Sequence, residues 1–72
     1  MDIRRLVGLN VRRLRHERGW SQEELAFECE LHRTYISGVE RGVRNPTVLV
    51  LQVVAAALEV PPARLLEKLP GK

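Results

Sequence analysis

One cysteine and three aromatic residues are all that this 72-residue chain has of either kind. The lone Cys29 excludes an internal disulfide, and it lacks the neighbours a metal site needs. A free cysteine packs as a small hydrophobe, so Cys29 is expected in the core. With only Trp20, Phe27 and Tyr35 as aromatics, that core must be aliphatic. The same scarcity leaves no platform on which unpaired bases could stack, which argues against single-stranded RNA as a ligand. No stretch reaches the ~20 apolar residues of a membrane span, and no signal peptide is evident. No membrane partner is expected, and an intracellular, cytoplasmic protein follows. Catalytic equipment is equally scarce. His16 and His32 fall on different elements, and there is no nucleophile–base set or phosphate loop. Neither an enzyme nor a cofactor is expected.

What is present is aliphatic and basic. Hydrophobic residues make up 44% and charged residues 29%, a globular rather than a disordered balance. The length allows one domain, residues 1–72, with a small core that oligomerisation often supplements. Net charge is +3, and ten of the twelve basic residues are arginine. Arginine suits bidentate recognition of phosphates and bases. Genome composition alone can produce the same usage.

The chain is organised around Trp20 to Gly42, WSQEELAFECELHRTYISGVERG. Ser21 and Glu24 form a capping box at the start of a helix over 22–29. Trp20 and Leu25 sit where a hydrophobic staple would clip the entry. Leu25, Ala26 and Cys29 share one apolar face. A further helix over 33–40 buries Ile36 and Val39. Its other face carries Thr34, Ser37, Gly38 and Arg41, with Arg33 and Tyr35 flanking. A short helix with a small, polar and basic outer face suits the major groove of DNA.

Before this unit, Asp2 to Arg18 read as a first helix, capped by Asp2 and closed by Gly19 in the left-handed region. Its apolar stripe is Leu6/Val7, Val11 and Leu14. Gly8 within it costs roughly 1 kcal/mol against alanine, and a closely approaching helix is one reason to keep it. After the unit, Gly42 closes the helix over 33–40, Pro46 holds Asn45 out of the helical region, and Thr47 caps a fourth helix. From Val48 to Leu58 only Gln52 is polar. Val48, Leu51, Ala55 and Leu58 are read as its core stripe, and Leu49, Val53 and Ala56 as a second one. Such a helix needs cover on two sides, either from a second subunit or from the last helix of the same chain. That last helix is expected over 63–69, entered by Pro61-Pro62, with Leu65, Leu66 and Leu69 as its docking side chains. Leu65 and Leu69 join Leu49, Val53 and Ala56 as the expected dimer interface.

The ordered pieces resemble the Cro/cI-type (XRE) helix-turn-helix family. They are Arg13-Leu14-Arg15…Arg18-Gly19, then Ser21-Gln22-Glu23-Glu24-Leu25-Ala26, then Ile36-Ser37-Gly38-Val39-Glu40-Arg41-Gly42, then Asn45-Pro46-Thr47 and Leu58. The resemblance runs from about Leu6 to Leu69. It implies an all-α, five-helix, lambda repressor-like domain with its helix-turn-helix at 21–41. The run Leu31-His32-Arg33-Thr34-Tyr35-Ile36-Ser37-Gly38 further resembles restriction–modification controller proteins, which are small dimeric regulators. By resemblance, Gln22 touches phosphate, and Arg33, Thr34 and Ser37 reach bases and phosphates. Tyr35 contacts backbone or base, Arg41 shares the DNA face, and Arg44 and Asn45 approach the backbone and minor groove. Arg15 and Glu40 match a buried ion pair. Glu30 stands where the family has glycine in the turn, at a cost of roughly 1–2 kcal/mol. His32 stands where a better helix cap is usual, and either reaches a phosphate or is a solvated neighbour. Gly38 lacks a side chain that relatives turn to bases, so readout is expected to lean on DNA shape.

The function implied is a transcriptional regulator binding double-stranded DNA as a homodimer on a pseudo-palindromic site, and therefore associated with the nucleoid. The alternative is an antitoxin or adaptor that holds a hetero-partner through the last two helices. Glu23, Glu24, Glu28 and Glu30 are read either as a solvated face or as an acidic patch that touches RNA polymerase. Phe27 looks exposed, without a role.

Overall fold

The computed structural model describes residues 1–68, which form four α-helices and a closing 3-10 helix, with no strand among them. The first, α1 (Ile3–Glu17), is capped by Asp2, whose Oδ1 accepts from the Arg4 amide at 2.7 Å. It stops where Gly19 turns to φ 72°. Next, α2 (Gln22–Cys29) opens with the full capping box. Ser21 Oγ accepts from Glu24 N at 3.0 Å, and Glu24 Oε1 accepts from Ser21 N at 2.7 Å. Then α3 (Arg33–Glu40) follows, closed by Gly42 at φ 76°. Finally α4 (Val48–Leu58) is capped by Thr47, whose Oγ1 accepts from Val50 N at 3.1 Å.

The core is aliphatic, as the composition required. Val7, Val11 and Leu14 of α1 meet Leu25, Ala26 and Cys29 of α2, Ile36 and Val39 of α3, and Val54, Ala55 and Leu58 of α4. Each fully buried Leu or Ile contributes about 1.5–3 kcal/mol by leaving water. Trp20 packs half-buried on this cluster, and Arg18 stacks over its ring at 4.5 Å. Burial, reinforced by neighbouring Glu28, pushes the Cys29 thiol up to about 11, so it stays protonated and inert near neutrality. Helix α1 packs on α3, and Gly8 makes that possible. A Cβ at Gly8 would fall 2.6 Å from the Glu40 carbonyl oxygen and nearer still to that of Val39.

Three expectations need correction. The fifth helix is not an α-helix over 63–69 but a five-residue 3-10 turn, Pro62–Leu66. Pro61 and Pro62 lack amide donors and the segment is short, so the tighter winding suffices. Leu65 is not an interface residue: it is fully buried inside its own chain. Leu69 lies outside the described residues. Val48 does not face the core but is 81% exposed, and the inward side of α4 is instead Val50, Leu51, Val54, Ala55 and Leu58.

Asn10 is the polar residue that the sequence reading missed. It is fully buried on α1, and its Nδ2 donates to the carbonyls of Leu65 at 3.0 Å and Glu67 at 2.8 Å. Those two bonds tie down the chain after α4. A buried amide satisfied in this way specifies one docking position, because any slip strands it unpaired.

Candidate nucleic-acid interface

The turn from α2 to α3 sets the angle at which α3 is presented. Glu30 adopts φ 57°, ψ 40°, the left-handed geometry that normally favours glycine. The strain is offset by closing bonds: Glu30 N donates to Phe27 O at 3.1 Å, and Leu31 N to Ala26 O at 2.9 Å. His32 is the N-cap of α3, but its side chain makes no capping bond and stays exposed. No side chain therefore caps the first amides of α3, beside Arg33 and Thr34. Uncapped helix N-termini attract anionic oxygens.

The other end of α3 is anchored by charge. Arg15 Nε donates to Glu40 Oε2 at 2.7 Å and its Nη2 to Glu40 Oε1 at 2.9 Å. Arg15 Nη1 donates to the Trp20 carbonyl at 2.8 Å. The Glu40 hydrogen bond raises the Arg15 pKa above its usual value against the opposing effect of burial, so the guanidinium stays charged. Gln22 Nε2 donates to Glu40 Oε1 at 3.0 Å. This qualifies the expected role of Gln22, since one amide hydrogen is committed to the anchor and only the second is left for a phosphate. Gln22, Ser21 and Arg33 line one shallow depression, so the structure does bring Gln22 and Arg33 together.

Arg33 and Thr34 are exposed and Ser37 is half-exposed on the outer face of α3, and Arg41, its C-cap, is exposed just beyond. Arg44 and Asn45 are exposed in the loop that follows. Tyr35 is half-buried at the flank of α3, with the Arg44 guanidinium 5.8 Å from its ring centre. Gly38 is the correction at this site. It is buried, not open to the groove, because the Arg44 stem lies across it. Leu49 (71% exposed), Val53 (43%) and Ala56 form an outward apolar stripe on α4.

A buried scaffold thus holds out one short helix with a small, polar and cationic face, and that constellation defines a helix-turn-helix DNA-binding domain. The chain belongs to the helix-turn-helix family, whose model matches residues 11–65. Within that family it is similar to the control protein C.BamHI of Bacillus amyloliquefaciens, with 49% identity over 67 residues, 92% of this chain and 83% of that one. It also resembles the crystal structure of the hypothetical transcription factor NHTF from Neisseria, at TM-score 0.91 and 44% identity, covering 94% of this chain and 78% of that one. The restriction–modification controller protein C.Esp1396I, crystallised as a tetramer with its natural 35 base-pair operator, aligns at TM-score 0.82 and 37% identity. That match covers 90% of this chain and 86% of that one.

Proposed function

We propose that this protein is a sequence-specific transcriptional regulator, of the restriction–modification controller type, that binds a pseudo-palindromic operator as a homodimer. The observation that carries the reading is the outer face of α3 with its C-cap: Arg33, Thr34, Ser37 and Arg41 stand clear of a core that fixes the helix from behind. Likeness to C.BamHI and C.Esp1396I supports the controller type. Arg33 takes guanine O6 and N7 in a fork, and the Thr34 methyl meets a thymine methyl. Ser37, Arg41, Arg44, Asn45, His32 and the free amide hydrogen of Gln22 meet backbone oxygens, which position the helix without reading sequence.

Size requires more than one copy. The described body measures 32 × 22 × 18 Å and presents one α3. Successive major grooves on one face of DNA are about 34 Å apart, so a single chain reads one half-site. Leu49, Val53 and Ala56 are the side chains through which two copies pair. No observation favours the antitoxin or adaptor reading.

Contact with RNA polymerase is a finer step. Phe27 is 80% exposed and lines a shallow surface with Glu23, Glu24 and Glu28 on α2, which adjoins the depression of Gln22 and Arg33 through Glu23. Changing Glu28→Lys should leave operator affinity intact and abolish activation of a reporter; wild-type activation would remove this contact from the reading.

Selection of bound duplexes from random DNA tests the whole. Two inverted half-sites about one helical turn apart are expected. No enrichment would sink DNA reading, and a single half-site would sink the dimer. Arg33→Ala should cost about 1–3 kcal/mol and relax one base position. An equal loss on every sequence would show that Arg33 touches only backbone.

A further inference from the structure

Two helical glycines are buried, and different atoms crowd them. At Gly8 an added Cβ meets backbone carbonyls of α3. At Gly38 the three nearest heavy atoms all belong to the Arg44 side chain, with Cγ at 2.5 Å and Cδ and Nε both at 3.5 Å. The Gly38 carbonyl also accepts from Val43 N at 3.0 Å and Arg44 N at 3.2 Å, which folds the loop back onto the helix. Beyond the slot, the Arg44 guanidinium stands 5.8 Å from the Tyr35 ring centre, within cation–π reach. Arg44 is therefore held at its backbone, along its stem and at its head.

We propose that Gly38 is a positioning residue for DNA recognition: its missing side chain is the slot that lays Arg44 flat across α3 and directs its guanidinium past Tyr35. The proposal rests on the reading of this chain as a DNA-binding protein. Arginine is rotamer-rich, and holding it before the encounter removes an ordering cost that binding would otherwise bear. The obstacle to a methyl group at Gly38 is a flexible side chain, not backbone. Alanine can therefore be accommodated if Arg44 swings away, and α3 gains helix propensity from it. A glycine kept only for close helix packing, like Gly8, would behave in the opposite way.

The test compares wild type, Gly38→Ala, Arg44→Ala and the double variant. Each is assayed by thermal melting and by affinity for a duplex carrying the selected site and for a scrambled duplex. Gly38→Ala should melt at or above wild type and bind the selected duplex about three- to tenfold more weakly, as expected for one long side chain losing its preorganisation. In the Arg44→Ala background the same change should have no effect on binding. In the free protein, the order parameter of the Arg44 Nε–H bond should fall in Gly38→Ala. Lower melting in Gly38→Ala that Arg44→Ala restores also supports the slot. Lower melting in both backgrounds, equal binding losses in both, or an unchanged Arg44 order parameter would each overturn it. If wild type fails to distinguish the two duplexes, DNA reading itself fails. If wild type distinguishes them and coupling is absent, only the role of Gly38 falls.

Discussion

Helices α3 and α4 pack into the same small core but are held by different forces. Helix α3 is fixed by directional links: the Arg15 fork on Glu40, the Gln22 amide on the same carboxylate, and its last carbonyls against Gly8. Its outward face is polar. Helix α4 is held mainly by apolar contacts of Val54, Ala55 and Leu58, with one long bond from Arg18 Nη1 to the Leu58 carbonyl at 3.4 Å, and its outward face is apolar too. Apolar contact is non-directional and tolerates small rotations. A helix that must enter a groove in one orientation needs links that do not. A helix that seeks a second copy needs only surface. The contrast predicts that damage to α3 anchors is felt as lost stability and lost reading together, and damage to the α4 exterior as lost association alone.

The largest effect is expected at the ion pair. Arg15→Leu strands the buried Glu40 carboxylate and should cost about 3–5 kcal/mol in urea denaturation. Adding Glu40→Leu should recover most of that loss, because a buried pair replaced whole by apolar groups is often neutral. Recovery of less than half would mean that the bonds to Gln22 and the Trp20 carbonyl matter more than the pair itself. Gly8→Ala comes next. Its methyl meets carbonyl oxygens that cannot move without shifting α3, so a loss of about 1–3 kcal/mol is expected despite better helix propensity. A variant as stable as wild type would break the claim that the α1–α3 approach depends on Gly8.

These anchors were legible in the sequence to different degrees. The helices that start and stop on chemical signals were read with the right bounds: Asp2, the Ser21–Glu24 box, Gly19, Gly42 and Thr47 each act locally. The Arg15–Glu40 pair came from family resemblance and forms as expected. Helix α4 was located but its inward side was assigned in part to the wrong residues, since a helix apolar all round carries no phase. Hence Val48 reads as inward, although it is 81% exposed. Asn10 was invisible because a lone polar residue on a helix reads as surface until its partners, 55 and 57 positions away, are known. Gly38 read as an open position because the sequence does not say that Arg44 folds back over it.

The exterior of α4 supplies the converse prediction. Leu49→Glu, at a side chain 71% exposed in the single chain, should change the intrinsic stability of that chain by less than about 0.5 kcal/mol. It should nevertheless shift sedimentation from dimer to monomer. A dimer that survives Leu49→Glu and Val53→Glu together would move the pairing surface off α4.

A gain rather than a loss is expected at the two left-handed glutamates. Glu30 ends α2 and Glu59 ends α4 with nearly the same backbone, φ 57° and 59°. Each puts a carboxylate at a helix C-terminus, where the dipole disfavours it, and each bears the strain of a side chain in that region. They differ in compensation. Glu59 Oε1 lies 3.5 Å from Arg18 Nη1, whereas among the described residues no ion pair forms at Glu30. Glu30→Gly should therefore stabilise the protein by about 1 kcal/mol, the strain relieved less the entropy glycine adds to the unfolded chain. Glu59→Gly should gain less, by the few tenths of a kcal/mol that an exposed pair is worth. Equal gains would mean that the Arg18 contact contributes nothing. A loss at Glu30 would mean that its side chain holds the turn in a way that backbone geometry does not reveal, and the orientation of α3 would then depend on a fourth directional link.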